Sequence, residues 1–499
     1  MNAVARILPW PEDIEDELPL ALWDAASLAR AMDGVASGDF QCAGVEIDSR
    51  DVREGDLFFA LRGESMDGHR FVAGAFAAGA VAAVVDRPVE GPHILVKDTT
   101  QALESLAAIA RARVGAGMIG GGVGARIVGV TGSVGKTGVK EAIFAALDRS
   151  SGGAAHRSVK SYNNHVGVPL SLARMPARSR FGIFEMGMNH AGEIDALTRQ
   201  VRPHVAVITT IAPAHIEMLG SEEAIAHAKA EIFRGLEPGG VAIIPADGPH
   251  YARLKEAAER HAGAVVSFGR AAHADVRLLD CVAAPDGGSL VTADMGDRRL
   301  CYTVAAPGDH WVINSLAVMA AVRAARGDLG AAGLALAEME GLAGRGARMR
   351  IAMADGGEAL LIDESYNANP ASMRATLAQL GRTEARRRIA VLGAMKELGD
   401  HGPGYHADLA EPLAEAGIDY AVLVGDEMLA LAQALTRELG KSEGSALGKP
   451  PRFAHCRTVA EARDALAAFG VESGDAILVK GSNSVGLGAL VKALADQEG

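Results

Sequence analysis

The sequence predicts an α/β protein with mainly parallel sheets, divided into more than one domain. Three observations support this. Short runs rich in β-branched and apolar residues alternate with longer stretches whose apolar residues recur at helical spacing, the pattern of strand-helix units. Two glycine-rich segments interrupt the alternation. The 499 residues, 49% hydrophobic and 22% charged, are too many for one core and too apolar for disorder, so two to four domains are expected.

Taken in order, the predicted strands are Ala80–Asp86, Ile127–Val130, Phe181–Glu185, Val205–Thr210, Val241–Pro245, Ala359–Asp363, Ile389–Leu392, Ala421–Val424 and Ala476–Val479. A helical stretch, Gln101–Val114, runs into the segment Gly115–Gly124, where six of ten residues are glycine. This composition predicts a flexible linker and a domain boundary near residue 120. The same segment contains GAGMIG, a formal match to a dinucleotide fingerprint. It follows a helix where the fingerprint needs a strand, so no such role is assigned. A second glycine and arginine cluster, Gly341–Arg350, predicts another boundary, leaving about 150 residues for a last domain.

A formal net charge of -13 and the lack of a basic patch argue against nucleic acid or an anionic membrane surface as a partner. The run Arg386-Arg387-Arg388 reads as a solvated helix end. Cys42, Cys281, Cys301 and Cys456 form no CxxC pair, so neither a disulfide framework nor a zinc site is expected. Acidic residues such as Glu12 and Asp13 stand where a secretory signal would be basic, and no stretch is apolar enough to span a bilayer. A soluble, cytoplasmic protein is expected.

The most informative string is Thr131-Gly132-Ser133-Val134-Gly135-Lys136-Thr137. It lies between the buried strand Arg126–Val130 and a helix marked by Val139, Ile143, Ala146 and Leu147. A strand-loop-helix junction of this kind cradles phosphates. Backbone N–H groups and the helix N-terminus bind the anion, Lys136 reaches the terminal phosphates, and the Thr137 hydroxyl can ligate Mg2+. Val130 occupies the first glycine position of the strict pattern, making the loop a variant. Mg-ATP is the expected ligand.

Glu185 ends a predicted strand at the carboxyl edge of a parallel sheet, where α/β ligand sites form. It is read as a candidate metal ligand or a turn carboxylate. His215 follows the next strand and reaches the same edge either as a ligand or as a structural group. Lys229 lies on a helical pattern and by pattern alone is a solvated lysine. The string Asp363-Glu364-Ser365-Tyr366-Asn367-Ala368-Asn369-Pro370 also follows a strand. It is read as ligand-binding in preference to capping alone, since a cap needs only one of these side chains.

Together these residues resemble the Mur ligase family. The resemblance spans nearly the whole chain, through Asp48-Ser49-Arg50, Asp67-Gly68-His69, the phosphate loop, Tyr162-Asn163-Asn164, Glu185-Met186-Gly187, His215, Lys229, DESYNANP, Leu392-Gly393 and Lys480-Gly481-Ser482. DESYNANP is similar to the family branch that adds D-alanyl-D-alanine, and an Asp-Asn-Pro-Arg string, which marks diaminopimelate-adding sisters, is absent. The resemblance implies three domains: a smaller N-terminal α/β domain binding the UDP substrate (1–120), a central P-loop-type ATPase domain (121–344) and a C-terminal Rossmann-like domain (345–499).

It also implies a monomer that joins D-alanyl-D-alanine to UDP-N-acetylmuramoyl-tripeptide through an acyl phosphate, with ATP and two Mg2+ ions. Thr137 and Glu185 would meet one magnesium and His215 a second, supported by a carbamylated Lys229. Asn314 would meet adenine, and Arg345 with Asp363 or Glu364 would meet ATP. Ser49, Asn163, Asn164, Asn367 and Asn369 would touch the peptide substrates. The sequence departs from the family pattern at Trp311, where many relatives have asparagine, and at Glu364, where aspartate is common. Sites on separate domains imply closure on ATP, with Gly115–Gly124 and Gly341–Arg350 as hinges. Other amide ligases of the superfamily, such as folylpolyglutamate-type enzymes, are the nearest alternative. A GTPase-like switch lacks its Asn-Lys-x-Asp string here.

Overall fold

A computed structural model describes residues 21–496, apart from 64, 65, 116–123, 160, 214, 215, 285–287, 340, 342, 354 and 441–448. The chain falls into two compact units, Met1–Val123 with Pro169–Arg178, and Gly124–Val168 with Ser179–Gly499.

The first unit holds a five-stranded sheet in the order Val35–Ala36, His93–Leu95, Ala82–Val85, Asp56–Phe59, Gly44–Glu46. All pairings are parallel except the first. Phe58, Val72, Ala75, Ala83 and Val85 build its core. The segment Pro169–Arg178 is tied into this unit by side chains. Trp23 Nε1 donates to the Ala173 carbonyl at 2.9 Å, and Arg174 pairs with Glu46 at 2.6 Å. Sequence periodicity alone does not anticipate this excursion, because the contacts are long-range.

The larger unit holds two sheets. One has nine strands, from Arg299–Val304 at one edge through Ser289–Asp294, Val276–Ala283, Ala264–Gly269, Val241–Pro245, Val205–Ile208, Arg126–Thr131 and Phe181–Glu185 to Ala155–Arg157. Pairing is parallel from Ala155–Arg157 as far as Val276–Ala283, and antiparallel for the last two strands. The central strands read as continuous apolar runs because they are buried on both faces. The helices Lys136–Ser151 and Asp309–Ala324 pack together against this sheet. The second of these is apolar almost all round, and eleven of its residues are buried, as a helix inside a core must be.

The other sheet has six strands, ordered Ala347–Ala352, Glu358–Glu364, Ala476–Lys480, Arg388–Gly393, Tyr420–Val424, Arg452–Cys456. Only the first pairing is antiparallel. Separate apolar clusters around Met373, Leu377 and Leu413 and around Leu466, Leu490 and Leu494 indicate helices on both faces, the doubly wound arrangement. The expected strands are all present, and the fold class is α/β with mainly parallel sheets. The linker expected at Gly115–Gly124 lies largely outside the described residues. No helix among the described residues is long and apolar enough to cross a membrane.

Candidate active site

The phosphate loop is shaped by two glycines in backbone conformations closed to other residues. Gly132 has φ +146, and a Cβ there would lie 2.0 Å from Thr209 Oγ1. Gly135, with φ +86, forms the N-cap of the helix Lys136–Ser151. Neighbouring backbone holds the loop: Ser133 N–H donates to the Thr210 carbonyl at 2.8 Å, and Ser133 Oγ donates to the Ala212 carbonyl at 2.9 Å. The outcome is a helix N-terminus whose first N–H groups lack intrahelical partners, the electrostatic basis of an anion site. Lys136 Nζ rests on the Gly132 carbonyl at 2.8 Å. Burial pushes its pKa down, partly opposed by Glu185, with Arg345 adding to the depression.

Glu185 closes the loop's far side. It is buried, and its two oxygens accept from Thr137 Oγ1 and Asn163 Nδ2, both at 2.8 Å. The strand Phe181–Glu185 pairs in register with Arg126–Val130, so the carboxylate and the loop emerge at the same sheet edge. Beneath them Lys140, fully buried, donates to the Ser158 carbonyl at 2.8 Å, and Ser158 Oγ accepts from Glu185 N–H at 3.2 Å. Lys140 therefore anchors the segment that presents Asn163, a supporting role that sequence pattern did not flag.

A cavity of about 520 Å³ opens on this edge. Lys136, Glu185, Asn163 and Asn314 line one side, and Arg345, Glu364, Asn367 and Asn369 line the other. Arg345 donates to Ser161 Oγ at 3.0 Å, with its guanidinium 4.2 Å from the Tyr366 ring centre. Asp363 and Glu364 differ in commitment. Asp363 accepts from Gly344 N–H at 2.7 Å and from Ser365 N–H and Oγ at 3.0 and 2.6 Å. Glu364 faces the cavity and meets Lys480 Nζ at 3.2 Å. Asn369 caps the helix Pro370–Arg382 through Ser372 N–H at 2.9 Å, in a reciprocal capping box. Thus one asparagine of DESYNANP serves as the cap, while neighbouring side chains remain directed at the cavity.

Lys229 is buried at 1% exposure, correcting the solvated reading that its helical pattern suggests. Burial, then the charge of Lys136, pushes its pKa well below that of an ordinary lysine. His215 lies outside the described residues. Thr137 reaches the cavity edge through Glu185. Asn164 is exposed and caps the turn before the helix Gly167–Ala173, accepting from Gly167 N–H at 2.9 Å. Ser49 belongs to the first unit.

His310, Trp311, Lys396 and Lys480 also line the cavity without having been singled out as site residues. Burial holds the His310 pKa down, partly offset by Glu364. Lys480 ends a strand at the carboxyl edge, so the rule that selects Glu185 could have found it. Lys396 follows the strand Arg388–Gly393 by three residues and was open to the same rule, whereas His310 and Trp311 sit on a helix without such a signal.

A phosphate loop on one sheet faces charged groups from a doubly wound second sheet across one cavity, the arrangement of a nucleotide-dependent group-transfer enzyme. Three family models match the chain: "Mur ligase family, catalytic domain" at residues 41–112, "Mur ligase middle domain" at 130–322 and "Mur ligase, glutamate ligase domain" at 347–483. The chain belongs to the Mur ligase family. It is 36% identical to the UDP-N-acetylmuramoyl-tripeptide--D-alanyl-D-alanine ligase of Synechocystis sp., over 92% of this chain and 93% of the relative. It is 33% identical to the Bacillus subtilis ligase of that name, over 91% and 93%. Among solved structures, MurF from Acinetobacter baumannii matches with TM-score 0.79 and 31% identity, covering 96% of this chain and all of that one. MurF ligase from Thermotoga maritima in complex with ADP matches with TM-score 0.70 and 25% identity, covering 91% and 97%.

Proposed function

We propose that this chain joins D-alanyl-D-alanine to UDP-N-acetylmuramoyl-tripeptide at the expense of ATP, giving the pentapeptide precursor of peptidoglycan. The observation that carries the reading is the single cavity in which the loop of Lys136, the buried Glu185 and the DESYNANP strand end meet. It agrees with the reaction for which the relatives are named.

A carboxylate is a poor electrophile and needs activation before an amine can attack it. A tripeptide carboxylate oxygen attacks the γ-phosphorus of ATP and ADP departs, leaving an acyl phosphate. The dipeptide amine then adds to the acyl carbon, phosphate leaves, and the amine loses a proton as the amide forms. Bringing phosphates and carboxylate together crowds negative charge, the main electrostatic obstacle. Lys136, Arg345, Lys396 and Lys480 are cations that line the cavity and can offset that charge. The hydroxyl of Thr137 next to the carboxylate of Glu185 is a pair of hard oxygen donors, suited to an ion that keeps waters and shares phosphate oxygens. Mg2+ bound there would supply charge neutralisation of the phosphates. His215 is assigned to a second ion on the family resemblance alone.

The depressed pKa of Lys229 makes its amine available as a neutral nucleophile for CO2. Carbamate formation from the neutral amine joins CO2 to Nζ, releases one proton and leaves an anion there. Glu364 is the acid assigned to the ribose, since both Asp363 oxygens already hold the Gly344 turn and Ser365. Asn314 is assigned to adenine, and Ser49, Asn163, Asn164, Asn367 and Asn369 to the peptide substrates. The functional division runs 1–120 for the UDP substrate, 121–344 for ATP and 345–499 for the incoming amine. The enzyme is read as a cytoplasmic monomer, and its four cysteines are all free.

The test is product mass. Incubation with MgATP, UDP-muramoyl-tripeptide and an amine panel should give the D-alanyl-D-alanine adduct, with 18O from a labelled tripeptide carboxylate appearing in the released phosphate. An adduct with glutamate instead would move the chain to a sister activity.

A further inference from the structure

The segment Asn163–Arg174 is fastened at each end to groups that the proposed reaction uses. At its start, Asn163 Nδ2 donates to Glu185 at 2.8 Å, the Asn163 carbonyl accepts from Gly187 N–H at 2.8 Å, and Asn164 Oδ1 accepts from Gly167 N–H at 2.9 Å. The helix Gly167–Ala173 follows, buried along its whole length. Gly167 lies so close to Tyr162 that a Cβ there would come within 2.6 Å of the Tyr162 backbone. At the far end, Arg174 Nε donates to the Val45 carbonyl and Nη2 to Glu46 Oε2, both at 2.6 Å. Glu46 is itself a bridge. Its other oxygen accepts from Ile47 N–H at 2.8 Å and Asp48 N–H at 3.2 Å, which fixes the start of Asp48-Ser49-Arg50. A continuous series of contacts therefore runs from Asp48 through Glu46 and Arg174, along a packed helix, to Asn163, Glu185 and Thr137. Within it the chain passes from the larger unit to the first at Val168–Pro169.

We propose that Arg174 is a positioning residue that couples the two ligand sites, so that UDP substrate at Asp48-Ser49-Arg50 and magnesium nucleotide at Thr137 and Glu185 each tighten the binding of the other. This rests on the reading of those two strings as the substrate and nucleotide contacts. Coupling between distant sites is carried by chains of packed side chains and hydrogen bonds, and close packing passes a displacement on instead of absorbing it. Whichever ligand binds first orders the shared segment. The second ligand then meets it already ordered, which makes the coupling positive and reciprocal. Thr137 and Glu185 are thereby held for phosphoryl transfer when the carboxylate to be activated is also bound. A purely structural Arg174 would stabilise the first unit and leave the two ligands independent.

Calorimetric titration of the full chain with MgADP, alone and in saturating UDP-muramoyl-tripeptide, separates these roles. In wild-type protein the peptide substrate should tighten MgADP by about tenfold, and MgADP should tighten the substrate by the same factor. Arg174→Gln, which removes the charge and the two-armed reach, should leave MgADP affinity without substrate unchanged and bring the coupling factor close to one. Arg174→Lys, which keeps the charge but loses the bond to Val45, should recover part of the factor. If Arg174→Gln does not fold, Arg174→Met combined with Glu46→Gln, which leaves no buried charge unpaired, takes its place. A full coupling factor without the arginine would overturn the proposal and leave Arg174 a structural residue. So would wild-type protein in which the two ligands bind independently. Wild-type protein that binds MgADP but no UDP-muramoyl-tripeptide would remove the substrate reading, and the proposal with it.

Discussion

Burial lowers the basicity of both Lys136 and Lys229; the charge of Arg345 lowers Lys136 further against Glu185, and the charge of Lys136 lowers Lys229 further. Their proposed fates differ. Lys136 keeps its proton because a polyphosphate will face it. Removing that charge with Lys136→Ala should cost about 10²- to 10³-fold in kcat, the scale of losing one preorganised electrostatic partner, with an unchanged circular dichroism spectrum. Normal turnover would exclude the loop from phosphoryl transfer. Lys229 loses its proton more readily, and a carbamate there is an anion on a tether. Lys229→Ala should therefore be inactive and partly rescued by a short-chain carboxylate added to the assay, and 13CO2 should give a carbamate carbon signal in wild-type protein alone. Lys229 illustrates what residue-by-residue reading misses: its helical pattern is that of a solvated lysine, and only tertiary packing buries it. Glu185 was legible because a carboxylate ending an apolar strand is placed by topology.

At the scale of elements, the loops at the carboxyl edges decide what lines the cavity. The loop after Arg388–Gly393 carries Lys396 and is fixed from below by buried His406, whose Nδ1 donates to the Gly402 carbonyl at 2.7 Å and whose Nε2 accepts from Met395 N–H at 2.9 Å. Burial holds this imidazole below its ordinary pKa of 6.5, and a proton on Nε2 would face the Met395 donor. The unfolded chain takes up a proton near pH 6.5 while the folded one does not. Stability is thus full above 6.5 and declines as pH falls through it toward the depressed folded value. The melting temperature should drop between pH 7.5 and 5.5, more steeply in wild-type protein than in His406→Gln. Parallel pH profiles for the two would show that another group carries the dependence. Strands were the most legible elements, since burial on both faces writes them as apolar runs. The return of Pro169–Arg178 to the first unit was not legible, because Trp23, Arg174 and Glu46 make that contact across more than a hundred residues.

For the whole molecule, the ATP loop and its opposing cations belong to different sheets, so catalysis should involve closure of one on the other. Gly344 and Gly346, in left-handed conformations at φ +71 and +94, lie in the expected hinge Gly341–Arg350 between those sheets. X-ray scattering should show contraction on adding a non-hydrolysable ATP analogue with UDP-muramoyl-tripeptide, and unchanged profiles would argue against closure. The α/β class and its strand-helix order were readable from periodicity and turn composition.

Coupling of ATP cleavage to amide formation with a dipeptide is tested most directly by ADP release from the purified chain with UDP-muramoyl-tripeptide and Mg2+, measured with and without D-alanyl-D-alanine. ADP should accumulate through many turnovers only when the dipeptide is present. Equal ADP release without it would contradict the account.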